Sequence, residues 1–134
     1  MKKIIFSIGS LLLLFLAGCL DDNGNYTYKD LNAPVFGSDQ IRVYAYEGEM
    51  ASAKSDFYFE KDSVERLASV RYEWALNGKV IAETRDLNEE TDVIMERAGI
   101  TEYPDGGVSG YFFVIEKETG IRFMNEVYYA LRPK

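Results

Sequence analysis

The side chain best suited to covalent chemistry here is Cys19, the only cysteine among 134 residues, in a chain with no histidine to activate it. A solitary thiol in an exported chain has no internal disulfide partner, which leaves an intermolecular bridge or a free reactive thiol as the usual readings. Its neighbours argue against both. Lys2 and Lys3 give a positive start, Ile4 to Ala17 an apolar run, and the small residues Ala17 and Gly18 a cleavable site directly before the cysteine. Those are the three regions of a secretory signal. The run is shorter than the ~20 residues needed to cross a bilayer, so a permanent membrane helix is the weaker reading. Residues 1–18 are expected to be absent from the mature protein.

The remaining chemistry is defined by exclusion. With no histidine and one cysteine, histidine-based triads, cysteine–histidine dyads and the common zinc sites cannot be assembled. Among 22 acidic residues some pair will stand at glycosidase separation by chance, so no catalytic pair is assigned. Asp21-Asp22-Asn23-Gly24-Asn25 has the look of a calcium loop, but Tyr26 occupies the position that needs glycine and Asn32 the position of the bidentate acid. No catalytic residue, metal or cofactor is expected. Without residues 1–18 the chain has 116 residues, 13 basic and 22 acidic, a charge of −9. That balance argues against binding nucleic-acid phosphate and against an electrostatic hold on anionic lipid.

Leu16-Ala17-Gly18-Cys19 reads as a lipobox and resembles the bacterial lipoprotein signal. The resemblance implies that the Cys19 sulfur is acylated, palmitate being a typical chain, and that cleavage makes Cys19 the N-terminus. Each buried methylene contributes about 0.8 kcal/mol, so two or three acyl chains anchor stably where one does not. Asp21 and Asp22 resemble the acidic export signal of Bacteroidetes lipoproteins, which implies the cell-surface side of the outer membrane, the periplasm-facing side being the alternative. Asp62-Ser63-Val64 resembles the Asp-Ser/Thr-apolar acceptor for O-glycosylation in the same bacteria, which implies a glycan on Ser63.

The elements around these residues follow from periodicity. Residues 20–40 are rich in Asp, Asn, Gly and Ser and read as a spacer. Short apolar or alternating runs then predict strands at Ile41–Tyr46 and Phe57–Glu60. In Ser69–Leu76, Val70, Tyr72, Trp74 and Leu76 fall on one face at period two. Asn77-Gly78 follows and leads into Lys79–Ala82, which predicts a two-residue type I′ hairpin. Asp92–Glu96 fits a short strand or a helix. Lys61–Ala68 is the one other helical candidate, with Val64, Leu67 and Ala68 on a shared face. Pro104-Asp105-Gly106-Gly107 is a turn before Gly110–Glu116, an aromatic and β-branched run suited to a buried strand. Lys117–Gly120, with Gly120 in a left-handed position, connects it to a final strand, Ile121–Leu131. That strand is expected at a sheet edge, where it would invite strand addition or dimerisation.

Several short strands with a Trp on a middle one suggest an immunoglobulin-like sandwich. Trp74 is expected in the core against Val70, Phe113, Ile115 and Phe123, the inter-sheet disulfide being absent. Cys19, Asp21–Tyr26 and Tyr28, Asp30-Leu31-Asn32, Tyr72-Glu73-Trp74 with Asn77-Gly78, and Gly110–Ile115 through Thr119–Phe123 together resemble the PKD-like family of Bacteroidetes lipoproteins. The resemblance implies an all-β, immunoglobulin/PKD-like antiparallel β-sandwich. The expected organisation is a signal peptide at 1–18, lipidated cysteine and flexible tether at 19–39, and the sandwich domain at 40–134. The expected role is a non-catalytic, outer-membrane-anchored module that contacts glycan or an envelope protein, the alternative being a structural spacer or truncated remnant of a longer family member. Tyr26, Tyr28, Tyr44, Tyr46, Tyr58, Tyr103, Tyr128 and Tyr129 are too many to bury in so small a domain, so some should line the surface and offer stacking contacts.

Overall fold

A computed structural model describes residues 32–134; the expected signal peptide at 1–18, Cys19, Asp21, Asp22, Tyr26 and Tyr28 lie outside the described residues. In chain order the elements are β1 (Pro34–Phe36), β2 (Gln40–Tyr46), β3 (Met50–Ala53), β4 (Phe57–Phe59), α1 (Val64–Ala68), β5 (Val70–Leu76), β6 (Lys79–Ala82), β7 (Leu87–Glu90), α2 (Thr91–Ala98), β8 (Val108–Glu116) and β9 (Arg122–Arg132). One sheet has five strands in the order β2-β9-β8-β5-β6, and two-stranded ladders pair β1 with β4 and β3 with β7. The two short ladders, with α2, supply Ala51, Phe57, Phe59, Leu87, Ile94 and Ala98 to the core that the five-stranded sheet meets with its inner face. The result is the all-β sandwich that the strand pattern predicts. Its β1 lies in the stretch read as tether.

Alternation sets which face each strand buries. In β2, Ile41, Val43 and Ala45 are buried while Arg42, Tyr44 and Tyr46 are exposed. In β5, Val70, Trp74 and Leu76 are buried, as their period-two spacing requires. Trp74 is 0 % exposed, and its Nε1 donates to the Thr84 carbonyl at 2.8 Å, which satisfies the one polar atom of the ring. The β5–β6 connection is the expected two-residue hairpin, with Leu76 opposite Lys79 and positive φ at Asn77 (57°) and Gly78 (74°). Gly120 has φ 75° and turns β8 into β9. The segment left open between strand and helix is helical: Ile94, Met95 and Ala98 form its buried stripe, and Gly99 (φ 72°) ends it while Ile100 N donates to Met95 O at 2.9 Å. In α1, by contrast, no residue is fully buried, and Val64 is 81 % exposed instead of facing inward.

Two expectations are corrected. The final strand is not at an edge: β9 runs between β8, its antiparallel hairpin partner, and β2, to which it is parallel from Gln40↔Glu126 to Tyr46↔Arg132. The sheet edges are β2 and β6. Nothing local in the sequence announces a parallel partner 86 positions away, as 126 is from 40, whereas a hairpin neighbour is legible from its turn. The Trp74 neighbour is Phe112, at 4.6 Å between ring centroids, and not Phe113 or Ile115. Tyr111-Phe112-Phe113-Val114-Ile115 has no polar alternation, so its parity is invisible. The structure pairs Trp74 with Phe112 and sends Phe113 to the outer face with Glu73. Val70 and Phe123 do belong to the core and its margin.

Candidate functional site

Two surfaces of the domain combine shape with chemistry. The first is a cleft where β2 and β3 part. The turn between them is closed by Glu49 N donating to Tyr46 O at 2.9 Å. From there β2 follows β9 in one sheet and β3 follows β7 in the other, so the two strands share no ladder. The opening between Ser38–Arg42 and Lys54–Tyr58, with Arg85 and Asp86 beside it, has a volume of about 890 Å³. Asp86 builds its wall: Oδ1 accepts from Ser55 N at 3.1 Å and Ser55 Oγ at 3.2 Å, and Oδ2 lies 3.9 Å from Lys54 Nζ. Arg85 lies 4.5 Å over the Phe57 ring and donates to the Phe57 carbonyl at 3.4 Å. Asp56 adopts a left-handed φ of 57°, and its carbonyl accepts from Gly37 N at 2.8 Å, tying this wall to the end of β1. Tyr58 is 52 % exposed at the cleft, and Arg42 makes no ion pair with the described residues.

The second surface is the outer face of the five-stranded sheet. Ala75 stands opposite both Tyr111 and Val80, and Glu73 opposite Phe113, so these side chains share that face. They line a trough of about 430 Å³. Tyr111 and Val80 are exposed, and the Tyr111 and Phe113 rings lie 6.0 Å apart at 39°. Arg122 covers Phe113 at 4.0 Å and donates to Glu73 Oε1 at 3.2 Å, while Arg71 Nη1 donates to Glu73 Oε2 at 2.6 Å. An aromatic floor therefore adjoins a fixed row of charge-assisted hydrogen bonds. Such bonds hold side-chain geometry better than isolated surface charges do.

Of the residues that the sequence nominates, Ser63 is exposed and serves as N-cap of α1, its Oγ accepting from Arg66 N at 3.0 Å. Cys19 lies outside the described residues. Tyr44, Tyr46 and Tyr58 line the surface as expected, Tyr103 and Tyr128 are half-buried, and Tyr129 is fully buried. Among the described residues there is no cluster of three or more His, Cys, Asp or Glu suited to a metal ion. Sequence reasoning missed both surfaces. Arg42, Lys54 and Arg85 are far apart in the chain, and Tyr111 with Phe113 is hidden in an unbroken aromatic run.

The sheet topology and the buried Trp74 define an immunoglobulin-like β-sandwich, a class of module that is generally non-catalytic. Residues 19–134 match the model of the PKD-like family. The chain belongs to that family. No curated protein and no solved structure matches it.

Proposed function

We propose that this protein is a lipoprotein, held at the outer membrane by acyl chains on Cys19 and facing the cell surface, whose domain binds glycan without catalysis on the outer face of its five-stranded sheet. The observation that carries the glycan reading is the Tyr111–Phe113 floor beside the Arg71–Glu73–Arg122 row. The apolar face of a sugar ring stacks on an aromatic side chain, and its hydroxyls hydrogen-bond to a guanidinium and a carboxylate at the rim. Signal, cleavage site and solitary cysteine support the anchor, and the acidic pair Asp21-Asp22 supports the surface side. Ser63, exposed on its short helix, is an accessible acceptor for a glycan of its own. A pure spacer role loses one argument, because the last strand is paired on both sides.

Two measurements test this reading. Intact mass of the mature protein from membranes should show a diacylated or triacylated Cys19, with a further glycan mass on Ser63, and whole cells should expose the domain to protease. Unmodified protein in the soluble fraction overturns the anchor. Binding of the mature domain to a polysaccharide panel should fall at least tenfold in Tyr111→Ala. A panel with no ligand, or an unaffected variant, overturns the glycan reading.

A further inference from the structure

The two edges of the five-stranded sheet are treated differently. At β6 the strand has four residues, its ladder to β5 is bulged between Trp74 and Ala75, and α2 packs alongside. Arg97 Nη1 from α2 donates to the Ile81 carbonyl at 2.8 Å, occupying an acceptor in that edge strand. These are the devices by which proteins blunt an exposed edge. At the opposite edge, β2 has seven residues, regular alternation and no bulge against β9. Its far side has no ladder partner among the described residues, although β3, which pairs with β7, packs alongside part of it. The Gln40–Arg42 end of this edge faces the 890 Å³ cleft.

An unpaired edge inside a cleft is the geometry of strand addition, in which an incoming extended segment gains main-chain hydrogen bonds from the edge and specificity from side chains on the walls. Charge selects the segment. The mature chain has 13 basic against 22 acidic residues, yet the cleft presents Arg42, Lys54 and Arg85 against Asp56 and Asp86. Asp86 is held by Ser55 and Lys54, and Arg42 has no ion-pair partner among the described residues. We propose that the β2 cleft takes an extended acidic peptide segment of a partner protein, added as a strand along Gln40–Arg42 with its carboxylates toward Arg42 and Lys54. Complementarity of this kind sets partner choice and association rate.

The test uses the mature domain and three fluorescein-labelled decapeptides in which valine alternates with glutamate, lysine or serine. The Glu–Val peptide should bind and the Lys–Val peptide should not. Arg42→Glu and Lys54→Glu should each weaken binding at least tenfold, with circular dichroism confirming the fold. Alternate N-methylation of the Glu–Val peptide should abolish binding, because it removes the donors that a strand needs. Tyr111→Ala should leave this binding unchanged, which separates it from the glycan surface. No preference for the acidic peptide, full binding of the N-methylated form, or indifference to Arg42→Glu overturns the proposal. So does occupation of the cleft by a second copy, seen as a dimer in sedimentation that Arg42→Glu dissociates.

Discussion

Arg66 Nη2 lies 2.5 Å from Glu116 Oε2, and the two side chains are only 12 % and 11 % exposed. The same guanidinium stands 4.4 Å over the Phe59 ring and donates to Ser69 Oγ at 3.0 Å. One side chain on α1 thus ties that short helix to β4 and to the end of β8, where the helix's own packing is slight. Removing one member of a buried pair strands the other charge, so Glu116→Ala is expected to cost about 3–5 kcal/mol in urea unfolding. The double change Arg66→Met with Glu116→Leu should recover most of that loss. A single variant within about 1 kcal/mol of wild type would show the pair to be solvated.

Gly110 is required by its neighbours rather than by its φ. A Cβ there would collide with the Ala75 carbonyl and come 2.7 Å from Tyr129 Cε2. Gly110→Ala must push β8 from β5, at an expected cost of about 3 kcal/mol. Gly106→Ala meets nothing within 4 Å and should stay within about 0.5 kcal/mol of wild type. Thermal melts of the pair check this, and equal midpoints would refute it.

Tyr129 is buried and its hydroxyl has no hydrogen-bond partner among the described residues. Burial disfavours the phenolate and holds its pKa well above the ordinary 10.0. The unfolded chain therefore loses this proton first as pH rises past about 10, and stability falls there by up to ~1.4 kcal/mol per pH unit. Below that range the contribution is fully present. Tyr129→Phe should remove this part of the alkaline slope and leave neutral stability unchanged or up to ~1 kcal/mol higher, since it deletes an unsatisfied hydroxyl. Tyr72 and Tyr103, also raised by burial, titrate in both proteins and cancel in the difference. Parallel curves from pH 8 to 11 would contradict the assignment.

The β5–β6 turn offers a cleaner backbone test. Gly78 has φ 74° and open space where a Cβ would go, so Gly78→Ala measures left-handed strain alone, about 1 kcal/mol. Asn77 has φ 57°, and its Nδ2 donates to the Ala98 carbonyl at 2.8 Å at the end of α2. Asn77→Ala should cost about 1 kcal/mol more than Gly78→Ala, because it also frees that carbonyl. Equal melting points for the two would show the Asn77–Ala98 bond to be idle.

What could be read from the sequence follows the range of the forces involved. Strands β2, β5 and β6, the Asn77-Gly78 turn and the Gly120 turn were legible because alternation and left-handed φ are local signals. So was the burial of Trp74. Helix α2 was ambiguous until Gly99 is recognised as its stop, with Ile94, Met95 and Ala98 as its stripe. The parity of β8 was hidden because both its faces carry large apolar groups. The β2 partner of β9, and with it the cleft, depended on contacts across most of the domain, for which Arg42 and Arg85 carry no local mark.

The parallel ladder of β2 with β9 has a consequence for the order of events during folding. Residue 41 meets residue 127, so the first long strand waits for nearly the whole domain to emerge before its ladder can form. Contacts of such sequence separation slow folding, because loop closure must precede the gain from pairing. A chain made from its N-terminus therefore keeps this sheet open until the last strand arrives. Late closure makes β9 the latch of the domain rather than its fringe.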